Sequence, residues 1–532
     1  MKKSKLYRFL TSSFLLLPLS LIANDTINTQ GLYEKNCQSC HGINRLGGMG
    51  PALFPENLSR LRKTKASEVI NNGRVATQMP GFSKTLSQPE ISALVEYIYT
   101  PANTLPKWRL ADIKASQIKH FDQNKLPNTP QFEADLMNLF IVVELGDHSA
   151  TLLNGDTFEP ITRFKTRFAL HGGPKYSPDG RFVYFASRDG WISKYDIYNM
   201  KTVSEIRAGI NTRNMAISSD GKYAIVGNYL PHSLVILDTK DLSPIKVIDV
   251  KDKNGISSRV SAVYNAPPRT SFIVALKDVK EVWEIPYSSE DGVTVYKASA
   301  HASFENTQQK NGGKVAVENW ESTSQFPIKR ITTEDYLDDF FFDPDYIHLI
   351  GTSREKHYGQ VINLDRSKKI ATIKMQGMPH LGSGITWDYK GKQVFASPNI
   401  KDGLVSVIDM ENWQVIKEIK TQGPGFFMRS HNKSPYAWVD VFFGPNKEKV
   451  HIIDKNTLKI VKTIAPVPGK TAAHVEFTKN GKYVLLSIWD NDGAVIVYDA
   501  NTLKEIKRLP MKKPSGKYNV YNKTHYERGT SH

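Results

Sequence analysis

Ser219-Asp220-Gly221-Lys222-Tyr223 leads into Ile225-Val226-Gly227, then into Val235-Ile236-Leu237-Asp238 and Asp241-Leu242. A tight-turn signal, an apolar run, a second run ending in Asp and a short closing pair describe strands joined by hairpins. The same unit stands at Ser177-Pro178-Asp179-Gly180-Arg181 with Val183-Tyr184-Phe185 and Lys194-Tyr195-Asp196. It recurs at Tyr389-Lys390-Gly391-Lys392 with Val407-Ile408-Asp409, and at Lys479-Asn480-Gly481-Lys482-Tyr483 with Val497-Tyr498-Asp499 and Thr502-Leu503. A period of roughly 40 residues made of short strands predicts a β-propeller. Counting 139–168, 176–209, 217–250, 272–287, 341–377, 387–423, 434–469 and 477–510 gives eight blades. A pair of β-sandwiches, the competing all-β arrangement, leaves the fixed period unexplained. Residues 288–330, polar and rich in Ser, Asn, Gln and Lys, read as an insertion over one face.

Ahead of the repeats the spacing is helical, so the chain divides into a leader (1–23), a small helical module (24–105), a linker (106–130) and the propeller (131–532). The leader places Lys2, Lys3, Lys5 and Arg8 before an apolar run from Phe9 to Ala23 that Pro18 interrupts. That run is short for a membrane span, and a basic start, apolar core and small residue before Asn24 form the pattern of a secretory signal peptide. An uncleaved anchor is the alternative, because Leu21 stands where a small residue is preferred. Either way the bulk of the chain is exported, with the periplasm as the expected compartment, and no later stretch approaches membrane-spanning length.

The chain has 532 residues, 40% of them hydrophobic and 10% aromatic, which excludes a mainly disordered or collagenous protein. Its formal charge of +17 stays strongly basic once the leader is gone, but Lys and Arg are scattered and no zinc knuckle, Walker loop or basic-aromatic repeat accompanies them. Nucleic acid is therefore not the expected partner.

Both cysteines of the chain fall in Cys37-Gln38-Ser39-Cys40-His41. C-x-x-C by itself fits redox or zinc chemistry. With an adjacent His, a preceding export signal and no further Cys to complete a zinc site, it predicts one haem c bonded through both thiols, His41 reaching the iron. The sixth ligand is expected at Met79, in Gln78-Met79-Pro80-Gly81-Phe82, with Met49 as competitor. Ser87-Gln88-Pro89-Glu90 reads as a capped helix start, and Ile91, Leu94, Val95 and Ile98 share one face of that helix. In these residues the segment resembles an all-α class I cytochrome c.

Of the other histidines, His148, His232, His301, His357, His525 and His532 lie in polar stretches and are expected at the surface, while His348 and His451 fall in strand patterns. His171, His380 and His474 differ, each lying just before a turn that opens a repeat. Equivalent positions in a propeller project toward one central funnel, so these three are candidates for a shared site.

The whole chain resembles the cytochrome cd1 nitrite reductase family in Phe168-Ala169-Leu170-His171, Ser187-Arg188-Asp189-Gly190, Thr212-Arg213-Asn214, Gly227-Asn228-Tyr229, Ser487-Ile488-Trp489 and the end from Pro514 to Asn522. The resemblance implies a haem c domain before an eight-bladed propeller that holds the tetrapyrrole haem d1. It further implies His171 as proximal iron ligand and Arg188, Arg213 and Tyr229 as cofactor-binding residues, the arginines toward ring carboxylates; taken singly, each arginine also fits a surface ion pair. Nitrite reductases use two distal histidines. Here His380 matches one, and Asp338 stands at the other position, where neighbouring aromatics could raise its pKa enough for acid catalysis. The stretches 335–343, 377–387 and 423–431 resemble more closely the dihydro-haem d1 dehydrogenase branch of the family. That branch implies oxidation of a ring propionate to an acrylate, with His380 and His474 as proton acceptors, electrons passing to haem c, an external electron acceptor and a protein that receives haem d1. Nitrite reduction with haem d1 as permanent cofactor, and non-catalytic haem d1 carriage, are the alternatives.

Overall fold

The computed structural model describes residues 27–48, 50–59, 61–74, 79–287, 325–352 and 358–525. The leader, Met49, His301, His357, His532 and most of the insertion at 288–330 lie outside the described residues.

Eight antiparallel sheets follow one another along the repeats. In the third to eighth sheets the first strand in sequence is innermost and turn residues return the chain outward, as in Asn211–Ile217, Tyr223–Leu230, Ser233–Asp238 and Pro244–Asp249 of the third blade. Their alternating apolar residues pack between neighbouring blades, Leu234, Ile236 and Ile248 against Phe272, Val274 and Trp283 for example. The first blade is assembled from both ends of the propeller. Pro514–Asn519 pairs antiparallel with Leu139–Glu144 and supplies its innermost strand, which closes the ring and leaves neither end as a free edge. The fourth blade takes its outermost strand, Lys329–Thr332, from the far side of the polar stretch, so the tail of the expected insertion is part of a sheet.

The helical module packs Thr29–Asn36, Lys63–Asn72 and Gln88–Ile98 around Tyr33, Leu58, Ile70, Ile91, Leu94 and Ile98. Its last helix has the expected capping box: Ser87 Oγ accepts from Glu90 N, and the Glu90 carboxylate accepts from Ser87 N at 2.7 Å. Residues 106–130, read from sequence as a linker, carry the helix Leu110–Ala115 and a short strand, Ile118–Lys119, that joins Lys201–Arg207 as a fifth strand of the second blade.

This attachment sets the helical module on one end of the propeller. Arg207 donates to Leu46 O at 2.7 Å, Asn57 donates to Ile210 O at 3.0 Å, and Ala52 and Phe54 bury themselves against Ile210 and Leu230. Arg74, in the segment leading to Met79, lies with its guanidinium 5.3 Å from the Phe168 ring. Arg207, Ile210 and Phe168 lie where outer strands end or inner strands are about to begin, and in an antiparallel blade these are the same end.

Candidate active site

The residues around Cys37 fit a covalently held haem. Both cysteines are free and half-buried, and the backbone turns tightly between them, Cys40 N and His41 N both donating to Cys37 O. His41 Nδ1 lies 2.8 Å from Pro51 O, and donation to that carbonyl leaves Nε2 as the ligand atom. Burial lowers the His41 pKa, keeping the imidazole neutral as a ligand requires. A Cβ on Gly50 would stand 2.9 Å from His41 Cε1, so glycine is needed to let the loop lie on the imidazole. Met79 packs into the same apolar cluster as Cys37.

The propeller site forms at the end that carries the helical module, because the approaches to the inner strands converge there. His171 precedes Lys175–Tyr176 of the second blade, and its Nδ1 lies 2.6 Å from Arg213 O in the inner strand of the third. The Arg213 guanidinium returns to the same ring, Nη1 standing 3.1 Å from His171 Nε2, while its Nε donates to Ser261 O of the fourth blade at 2.8 Å. Burial opposes the Arg213 charge, but Tyr229, Asp339, Tyr264 and Asp338 outweigh it and raise the pKa. Arg188 lies beside them through its backbone, donating to Ala169 O and accepting from Thr212 N. The ring of Tyr229 lies under Arg259 and Lys277.

On the opposite wall His380 precedes Ile385–Tyr389 of the sixth blade. Its Nδ1 is 2.6 Å from Phe426 O and its ring stacks on Phe426 at 3.9 Å. Phe427 continues the wall to His474, whose ring it meets edge-on at 4.7 Å. His474 lies in Ala472–Phe477 of the eighth blade, at a bulge between Ala473 and Val475 and with φ of 55°. The bulge turns its side chain out of the strand's alternation. Tyr518 of the first blade lies 5.1 Å from His474 and reaches round to Gly173, where a Cβ would come within 2.9 Å of the phenol ring. His171, Arg213, Asp339, His380, Phe426, Phe427, His474, Tyr518 and Gly173 thus form a closed circuit, Asp339 joining by accepting from Gly382 N at 3.0 Å.

Burial lowers the pKa of His380 and lowers that of His474 further, Lys517 and Arg429 adding to the second effect. Both imidazoles are neutral near pH 7. His474 Nδ1 is buried and has no hydrogen-bond partner among the described residues. Arg429 Nε is in the same condition, although its neighbour Glu476 stands 3.9 Å away. Lys175 and Lys523 lie close enough to Arg429 for its charge to lower their pKa values, Lys175 to about 8, after burial as the larger cause.

Asp338 is ion-paired with Lys277. The adjacent Asp339 faces the site instead, accepting from Tyr264 OH at 3.1 Å. His148 and His232 are half-buried: His148 packs on Phe168 at 5.0 Å, and His232 Nδ1 is 2.7 Å from Ser257 Oγ. The aromatic wall, Tyr518, Arg429 and Asp339 were not singled out from sequence. Their only signal was membership of stretches such as Gly423–His431 and Pro514–Asn522, which carry no ligand spacing of their own.

Fold and site together define a c-type cytochrome joined to an eight-bladed propeller whose axial site gathers His171, Arg213, His380 and His474. Residues 134–308 and 292–523 match the Cytochrome D1 heme domain family, and residues 24–98 match cytochrome c oxidase, cbb3-type, subunit III. The chain is 55% identical over 503 residues to dihydro-heme d1 dehydrogenase of Pseudomonas aeruginosa, covering 94% of this chain and 95% of that protein. Nitrite reductase of Stutzerimonas stutzeri is 24% identical, with 94% of each chain covered. The solved structure of dihydro-heme d1 dehydrogenase NirN in complex with DHE superposes with a TM-score of 0.85 at 55% identity, over 93% of this chain and 99% of that one. The chain belongs to the cytochrome d1 haem domain family.

Proposed function

We propose that the protein is a dihydro-haem d1 dehydrogenase, converting a ring propionate of its tetrapyrrole substrate to an acrylate. Two carbon–hydrogen bonds break, one carbon–carbon double bond forms, and two protons and two electrons leave. His380 and His474 accept the protons. The observation that carries this reading is His474 Nδ1, buried, held neutral and open among aromatic rings. A neutral imidazole in such a place is a proton acceptor without a competing partner.

His171, its Nδ1 anchored on Arg213 O, would hold the ring metal. Arg188, Arg213 and Arg429 meet the ring carboxylates, for which a guanidinium fork is the fitting donor, and Tyr229 lines the same side. Phe426 and Phe427 exclude water from the side chain being oxidised. Haem c, held by Cys37, Cys40, His41 and Met79, supplies a one-electron acceptor when bound. The placement of Met79's loop next to Phe168, three residues before His171, supports that role. Among the described residues no helix is long and apolar enough to cross a membrane, which together with the leader supports a periplasmic protein that passes electrons to an external acceptor and product to a receiving protein.

The ion pair between Asp338 and Lys277 counts against nitrite reduction, since it engages the residue standing at the second distal position. The test is to add dihydro-haem d1 and an oxidised acceptor to purified protein and follow the ring spectrum. Conversion to the acrylate product supports the dehydrogenase; an unchanged ring together with rapid nitrite turnover in a separate assay overturns it.

A further inference from the structure

Asp440, the last residue of the strand Tyr436–Asp440 in the seventh blade, is fully buried, and its partners are three backbone amides. Its Oδ1 accepts from Phe426 N at 2.8 Å and Phe427 N at 3.0 Å, and its Oδ2 accepts from His474 N at 3.2 Å. These amides belong to two separate segments. The first segment supplies the Phe426 carbonyl that anchors His380 Nδ1 and the Phe427 ring that rests against His474. The second is the bulge at which His474 leaves the regular strand with positive φ. A buried carboxylate is costly, and the amides and the nearby Lys517 only partly offset this: burial pushes its carboxyl up to about 6.

We propose that Asp440 is a positioning residue that sets both proton-accepting imidazoles at once, through the Phe426 carbonyl for His380 and through the backbone of the bulge for His474. This rests on the assignment of those two histidines given above. Asn at this position keeps the size but replaces one acceptor oxygen by an N–H, which must face a peptide N–H. One of the two segments then moves, and misplacement by about 1 Å is enough to cost a large factor in rate.

The test uses the haem c-loaded protein and measures dihydro-haem d1 binding by spectral titration and single-turnover conversion with an oxidised acceptor. For Asp440→Asn we expect conversion to fall roughly 10- to 100-fold, with tetrapyrrole affinity and the c-haem spectrum little changed. In Asp440→Asn/His474→Ala the loss should exceed that of His474→Ala alone, through His380, yet stay well below the product of the two single losses, because the part transmitted through His474 does not add. Conversion by Asp440→Asn at the wild-type rate, or a double variant showing the full product of the single losses, overturns the inference. Asp440→Ala serves as the stronger removal, and should it fail to fold, the Asn variant decides alone. If His380→Ala and His474→Ala both convert at the wild-type rate, the proton-acceptor assignment itself falls, and the inference with it. If they stall while Asp440→Asn does not, only the positioning role is lost.

Discussion

The helical module keeps its haem-attachment motif in five consecutive residues, Cys37 to His41, whereas the propeller spreads its site from His171 to Tyr518 and draws it together only at the axis. The first arrangement depends on one helical turn; the second exists only when all eight blades are in place. Substitutions in the two regions should therefore fail differently, in attachment of a group for one and in rate for the other.

The sharpest contrast comes from Cys37→Ala/Cys40→Ala. Loss of both thioethers should remove covalent haem entirely while leaving tetrapyrrole binding in the propeller, and a pyridine-haemochrome assay beside a dihydro-haem d1 titration checks both halves. Full covalent haem in the double variant would contradict the motif reading.

Next in size are His474→Ala and His380→Ala. Removing a general base costs roughly 10²–10⁴ in rate, so single-turnover formation of the acrylate should stall while the bound spectrum persists. A variant that loses binding and rate together would mean that the imidazole holds the ring instead of taking the proton.

Met79→Ala should abolish the thioether–iron signature of haem c and lower its potential, without altering tetrapyrrole affinity. Redox titration of this variant against Met49→Ala separates the two candidates; sensitivity at Met49 instead would move the ligand but not the domain.

The smallest effect is on stability. The folded-state pKa values of His380 and His474 lie below the ordinary 6.5, so the unfolded chain binds more protons below that pH. The tetrapyrrole-free propeller should hold its stability above about pH 6.5 and lose up to about 1.4 kcal/mol per pH unit per ring as the pH falls. Denaturant midpoints of the propeller transition between pH 7.5 and 5 read this, and His474→Ala should flatten the dependence.

The regular parts of the fold were legible because turn chemistry is local. Ser219-Asp220-Gly221 needs only its own residues to reverse the chain, and Ser87 with Glu90 needs only one helical turn to cap it. The three histidines were legible for a related reason: a repeat converts position along the chain into position around an axis. Phe426, Phe427, Arg429 and Tyr518 were not, since an aromatic beside a turn reads as core, and a buried arginine looks like any other until its partners are found missing. The partner of Asp338 was not legible either, because Lys277, which pairs with it, is distant in sequence.

Sequence alone thus determined what short-range covalent and hydrogen-bond geometry can decide: the motif from Cys37 to His41, the eightfold repeat and the placing of His171, His380 and His474 at the openings of repeats. The tertiary structure decided everything that depends on ring closure. Pro514–Asn519 crossing back to Leu139–Glu144 brings Tyr518 beside His474, and Asp440 grips two segments that meet only there. Side chains hundreds of residues apart have no local signal of contact, because their proximity is set by the packing of blades between them.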